Sequence, residues 1–217
     1  MSDPQANANT AAQAGTDADH AAPPKTRAKP GQRRLEILQA FAAMLEQPTA
    51  ERVTTAALAK RLDVSEAALY RQFASKAQML EALIDFIEDS LMGLASKVDA
   101  QGLAGRVACA QLTQLILQFA QANPGMVRVM VGDALLLEQP RLAQRIALLF
   151  DKLEAQLRGH WRRAAGETGA HTPDSDASVR AHVLMSFVRG QLLRFTRSQW
   201  RVLPTDRLDL HLDVLLG

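Results

Sequence analysis

The most specific spacing of chemistry-bearing residues lies between Thr54 and Phe73, in the run TTAALAKRLDVSEAALYRQF. Two short helical segments joined by three or four residues have the size of a helix-turn-helix, whose second helix enters the major groove of DNA. Thr54 or Thr55 caps the first segment and Ser65 the second, since such side-chain oxygens accept from N–H groups in the first turn. At about 100° per residue with Leu69 as origin, Phe73 falls near 40° and Ser65 near −40°, on the packed side. Arg71 at about 200° and Ala67 at about 160° lie opposite, flanked by Tyr70 near 100° and Ala68 near 260°. Small alanines let a backbone approach base edges and touch thymine methyls, and an arginine bonds a guanine edge or a phosphate. A tyrosine hydroxyl on phosphate fixes register. Lys76 follows the cap Ser75, at a helix start that already attracts anions. Arg33, Thr54, Thr55, Ser65, Ala67, Ala68, Tyr70, Arg71 and Lys76 are thus candidate DNA contacts. The competing reading is an ordinary solvated helix pair.

Charge distribution decides between the two. The chain has 217 residues and a formal net charge of +2. Residues 1–24 carry Asp3, Asp17 and Asp19 and no base, whereas residues 25–76 hold ten Lys or Arg against five acids. Residues 77–217 balance. The net positive charge is confined to the segment that contains the motif, as a polyanion partner requires.

The elements that position these residues follow from periodicity. From Met1 to Arg34 there is no Leu, Ile, Val, Phe, Trp or Tyr, so the segment reads as a disordered arm, basic at Lys25, Arg27, Lys29, Arg33 and Arg34. Leu35, Ile37, Leu38, Phe41, Met44 and Leu45 recur at threes and fours until Pro48. The motif follows, then a long helix capped by Ser75 with Leu80, Leu83, Ile84, Ile87, Leu91 and Leu94 on one stripe. Gly102 and Gly105 mark a break before a helix through Leu112 and Phe119, which Asn123–Pro124–Gly125 stops. A short helical stretch through Leu137, a long helix from Pro140, a linker over Gly166–Asp174 and two final helices, about Ser175–Ser198 and Thr205–Leu216, complete the chain. No strand pattern occurs, so the expected fold is all-α. Its expected units are an arm at 1–31, a DNA-binding head at 32–78 and a helical body at 79–217.

Other chemistry has little support. His20, His160, His171, His182 and His211 show no metal-ligand spacing, and no phosphate-binding glycine loop exists. Asp174 and Asp176 read as helix-capping residues, Arg158, Arg162 and Arg163 as a solvated face, and Cys109 on an apolar helix as a small core residue. We expect no enzyme, metal or cofactor. One cysteine permits no intramolecular disulfide, and no run of about 18 apolar residues could span a bilayer. With a polar N-terminus lacking an apolar signal region, these point to a cytoplasmic protein.

The segment VTTAALAKRLDVSEAALYRQFASKAQML resembles the DNA-binding region of TetR-type regulators. Its continuation, LIDFIEDSL, QANPGMVRVMVGDALLLEQPRLAQRI, LEAQLR and RFTRSQWRVLPTD, is similar to the nucleoid occlusion branch of that family, from about Arg33 to the end. Within the motif, Asp63 stands where many relatives have Gly and must accept a left-handed conformation, and Ala74 replaces a common Pro. The resemblance implies a homodimer on pseudo-palindromic chromosomal sites, joined by its C-terminal helices and associated with the nucleoid. It further implies that the DNA-bound form engages the tail of the tubulin-like division protein FtsZ and disrupts division-ring filaments.

Two surfaces follow from these implications. On the fourth helix, with Leu80 as origin, the stripe spans about 300° to 40° while Phe86 falls near 240°, beside Met79 near 260°. An off-stripe phenylalanine can wall a groove for a short apolar peptide, with the Leu115–Asn123 stretch opposite. The resemblance implies that the matching region between these helices receives the FtsZ tail, which makes Phe86, Leu115 and Asn123 candidates for it, with packing of Phe86 against the DNA-binding head as the competing reading; the family counterpart of Leu94 is an arginine. For the dimer, Leu184, Phe187, Val188, Leu192 and Phe195 recur at threes and fours near the C-terminus, with intramolecular core as the competing reading. The rival function is a ligand-responsive repressor, with a pocket enclosed by Cys109–Ala122 and Val179–Phe195.

Overall fold

The computed structural model describes residues 31–47, 53–168 and 173–217. Most of the expected arm lies outside these residues; its last members, Arg33 and Arg34, belong to the first helix. The described residues form helices α1 (Gln32–Leu45), α2 (Thr55–Arg61), α3 (Glu66–Tyr70), α4 (Lys76–Ala100), α5 (Gly105–Ala122), α6 (Pro124–Met130), α7 (Pro140–Thr168), α8 (Pro173–Arg197) and α9 (Leu208–Leu216). A 3-10 turn, Asp133–Leu135, links α6 to α7. No strand occurs among them.

Helices α1–α3 pack their apolar faces on one another through Ile37, Phe41, Leu58, Leu69 and Phe73. The long helices α4, α5, α7 and α8 form the body around Leu91, Leu112, Ile116, Leu149, Leu153, Leu184 and Leu192, all without solvent exposure. Helix α4 is common to both units. Its first turn buries Ala77 and Met79, so Met79, off-stripe by helical periodicity, is core.

The connection expected at Gly166–Asp174 is shorter, because α7 continues through Thr168 and α8 begins at Pro173. The last turns of α7 are held by a tertiary contact. The Glu167 carboxylate accepts from the Gly105 backbone N–H at 3.0 Å and satisfies the otherwise orphan start of α5. The stretch expected to be helical through Leu137 also ends sooner, with Leu137 in the left-handed region at φ 66°.

An ion-pair ladder ties α4 to α7. Arg141 meets Glu81 at 2.6 Å, Arg145 meets Asp85 at 2.8 Å and Glu88 at 3.0 Å, and Lys152 also reaches Glu88. Hydrogen bonds from Lys152 and Arg145 hold the Glu88 carboxyl below its ordinary pKa. At the far end, buried His160 lies with Nδ1 2.7 Å from an Arg163 nitrogen and 3.6 Å from Asp99. Burial first, and then Arg163, lower its pKa, with Asp99 opposing. The folded state therefore binds its proton less readily than the unfolded chain does, so stability falls as pH drops below about 6.5. We expect Tm to decline between about pH 6.5 and 5, and His160→Asn to flatten that slope in scanning calorimetry. An identical slope in the variant would assign the acid sensitivity to other groups.

Candidate nucleic-acid interface and partner groove

Local chemistry builds the head. Thr54 Oγ1 accepts from Ala57 N at 3.1 Å, Ser65 Oγ from Ala68 N at 3.2 Å, and Ser75 Oγ from Gln78 N at 3.2 Å, so all three expected caps form. Asp63 takes the left-handed turn at φ 52°. Helix α3 is short, ending at Tyr70, and Phe73 enters the core from the following turn. Ala67, Tyr70 and Arg71 are exposed, and Ala68 is partly exposed on the adjoining side.

Two features of this surface were not legible from spacing. Thr55 Oγ1 donates to Glu66 Oε2 at 2.8 Å and lies 3.3 Å from Tyr70 Oη, so Glu66 joins the ends of α2 and α3 through the very side chains expected on DNA. Arg34, read from sequence as part of a basic arm, instead braces the motif. Its guanidinium donates to Gln72 O at 2.7 Å and stacks 3.9 Å from the Phe73 ring centroid. Arg33 pairs with Glu36 at 2.9 Å and stays partly exposed. Lys76 is half-buried, its Nζ 2.9 Å from Glu138 on the loop before α7.

The head is joined closely to the body. Gly125 in α6 lies against α1, where an added Cβ would enter the van der Waals shell of the Ala42 carbonyl. The Trp200 indole donates to Glu46 O at 2.6 Å and packs edge-on to Phe195 at 4.9 Å, fastening the end of α1 to the turn after α8.

On the opposite part of α4, Phe86 is 49% exposed and its ring lies 6.4 Å from that of Phe119 on α5. Leu115 is half-buried one turn away, and the half-buried Asn123 donates to Phe119 O at 2.8 Å. The expected groove residues are thus gathered along one α4–α5 seam. Phe119, which shares the α5 spacing of Leu115, is a further member.

The residues expected at a dimer interface require correction. Leu184, Val188, Leu192 and Phe195 are at most 1% exposed within a single chain, and Phe187 is half-buried beside His211 at 5.3 Å. They form intramolecular core, because this face of α8 lies on α5 and α7. The uncovered face carries Val179, Val183, Gly190 and Leu193, about 180° to 260° round the helix from Leu184. The rival pocket between Cys109–Ala122 and Val179–Phe195 is packed instead: Cys109, Leu112 and Ile116 are fully buried, and burial pushes the Cys109 thiol up to about 12. Among the described residues no His, Cys, Asp or Glu cluster suits a metal, and no helix is long and apolar enough to cross a membrane.

A helix-turn-helix head fused through one long helix to an all-α body defines a regulator of the TetR type. Residues 37–83 match the family of bacterial regulatory proteins of the tetR family. Solved structures share the fold, among them the TetR-family regulator PfmR of Thermus thermophilus, with 21% identity, TM-score 0.66, and 83% of this chain and 96% of that one covered. A TetR-family regulator of Bordetella parapertussis superposes with TM-score 0.69 at 16% identity, covering 86% and 95%.

Residues 105–216 match the SlmA-like, tetracyclin repressor-like C-terminal domain. The nucleoid occlusion factor SlmA of Photobacterium profundum is 45% identical over 186 residues, 84% of this chain and 93% of its own. SlmA of Alteromonas mediterranea is 42% identical over 177 residues, 82% and 90% of the two chains. This chain belongs to the SlmA family of nucleoid occlusion factors.

Proposed function

We propose that the protein is a DNA-tethered inhibitor of division-ring assembly, binding pseudo-palindromic chromosomal sites as a homodimer and there engaging the FtsZ tail. The observation that carries this reading is the placement of both surfaces on α4. Its first turn closes the DNA-reading head, and Phe86, about three turns on, stands half exposed against Phe119 outside that head. A phenylalanine serving only as core would be covered. Leu115 and Asn123 supply the remaining groove, and a short apolar peptide lying along it is the fitting occupant.

On DNA, Arg71, Ala67, Ala68 and Tyr70 face the bases, while Thr54, Thr55, Ser65, Arg33 and Lys76 border the phosphates. A two-fold axis brings two such heads about 34–36 Å apart, one helical turn. The dimer forms through the uncovered face of α8, at Val179, Val183, Gly190 and Leu193. The protein acts in the cytoplasm on the nucleoid and carries out no catalysis of its own.

The test is Phe86→Ala in two assays. Binding of a fluorescent FtsZ-tail peptide, measured with cognate duplex present, is expected to fall at least about tenfold while DNA affinity holds. Parallel loss of both, with a lowered Tm, would return Phe86 to a purely structural role.

A further inference from the structure

The first turn of α3, the part of a recognition helix that meets base edges, carries a carboxylate. Glu66 is exposed there, and no Lys or Arg among the described residues pairs with it. On a surface that meets a polyanion, an unneutralised carboxylate weakens binding to every duplex, so its place there is explained only by discrimination between duplexes. The hydrogen bonds around it supply a route. Thr55 Oγ1 has one proton and donates it to Glu66 Oε2 at 2.8 Å. Tyr70 Oη lies 3.3 Å from that same oxygen and, because the Thr55 proton is already committed, is the donor of this second pair. A relay therefore runs from Tyr70 through Thr55 to Glu66, with both hydroxyl protons turned along it. In this arrangement Thr55 and Tyr70 offer an approaching phosphate only lone pairs.

We propose that Glu66 is a specificity-determining residue that couples the reading of a cytosine to the gripping of phosphate. The N4 amine of cytosine, displayed in the major groove, is the base donor that suits a carboxylate. Where a site places that amine beside the first turn of α3, Glu66 accepts from it and holds the Thr55 proton less strongly. The Thr55 and Tyr70 hydroxyls then turn and donate to the flanking phosphates, which fixes the register of the head. Where no such amine is present, the carboxylate keeps both hydroxyls turned inward and repels the backbone. Discrimination thus combines a contact made to the right base with a penalty retained at the wrong one.

This rests on the DNA-binding reading above, and the test keeps the two apart. Glu66→Ala, Glu66→Gln, Tyr70→Phe and the double variant of Glu66→Ala with Tyr70→Phe are made in the full chain. Their side chains are at least partly exposed, so each is expected to keep the wild-type Tm. Fluorescence anisotropy follows binding to a cognate duplex, a scrambled duplex, and cognate duplexes in which single half-site C·G pairs become T·A. Glu66→Ala is expected to bind scrambled duplex about tenfold more tightly, because its hydroxyls are released. Glu66→Gln should rise distinctly less, since its amide oxygen still accepts from Thr55, and the rise in Glu66→Ala should shrink when Tyr70 is also changed. One C·G change is expected to weaken wild type about tenfold and to leave Glu66→Ala unaffected. Equal rises in Glu66→Ala and Glu66→Gln, untouched by Tyr70→Phe, would overturn the relay by reducing Glu66 to a repulsive charge. Equal sensitivity of wild type and Glu66→Ala to every C·G change would overturn the base contact. Either result, with wild type still preferring cognate duplex, leaves DNA reading by α3 standing; a wild type that binds both duplexes alike removes the two together.

Discussion

Arg71→Ala is expected to lose about 1–3 kcal/mol of affinity for a cognate duplex, roughly 5- to 150-fold, with little change for random DNA. Arg71 is exposed at the end of α3, opposite the side on which Leu69 is fully buried, so truncation removes the proposed base contact without opening the core. Lys76→Ala provides the contrast. Its ammonium is 2.9 Å from Glu138, so a phosphate must compete with that carboxylate. Its loss is therefore expected to be smaller, uniform across sequences, and visible as a salt slope shallower by about one. Fluorescence anisotropy on cognate and scrambled duplexes over a salt series measures both. Unchanged cognate affinity in Arg71→Ala would mean that α3 does not read this DNA.

Gly125→Val is expected to be among the most destabilising single changes in the chain, costing about 2–4 kcal/mol. That corresponds to a Tm lower by roughly 5–15 °C for a chain of this size. The atoms in the way are the carbonyl oxygen and carbon of Ala42, backbone within α1, which cannot swing aside as a side-chain tip would. Either α6 lifts off α1 or α1 bends, and α1 is the platform for α2 and α3. Cognate affinity should therefore fall with stability, unlike the isolated affinity loss of Arg71→Ala. Gly159→Ala is the control, because open space surrounds that position and alanine favours a helix interior. Calorimetry showing equal Tm for Gly125→Val and wild type would refute the close approach of α6 to α1.

What was legible in the sequence was what depends on neighbours within a few residues. Thr54, Ser65 and Ser75 cap where their residue types predict, and Asp63 bears the left-handed turn. Periodicity gave the outward face of α3 because only one side of so short a helix can be buried. The same arithmetic failed where two bodies meet. Met79 looked free by its angle but is fully buried in the first turn of α4. On α8, Leu184, Val188, Leu192 and Phe195 announced a buried face, and periodicity says nothing about whether its cover comes from the same chain or another. The Arg34 clamp on Gln72 and Phe73 and the Glu167 cap on Gly105 join residues far apart in sequence, beyond the reach of any local rule. Along the α4–α5 seam, Phe86 was visible as an exception to its own stripe, whereas Phe119 became recognisable only when its ring was found beside that of Phe86.

The claim that one protein couples chromosome binding to inhibition of division is tested most directly by pelleting FtsZ polymers with wild-type protein, alone, with scrambled duplex and with a cognate duplex at saturation. Cognate duplex is expected to lower the pelleted FtsZ markedly and scrambled duplex far less, and Phe86→Ala is expected to abolish the effect while still binding the duplex. Undiminished FtsZ pellets with cognate duplex fully bound would contradict it.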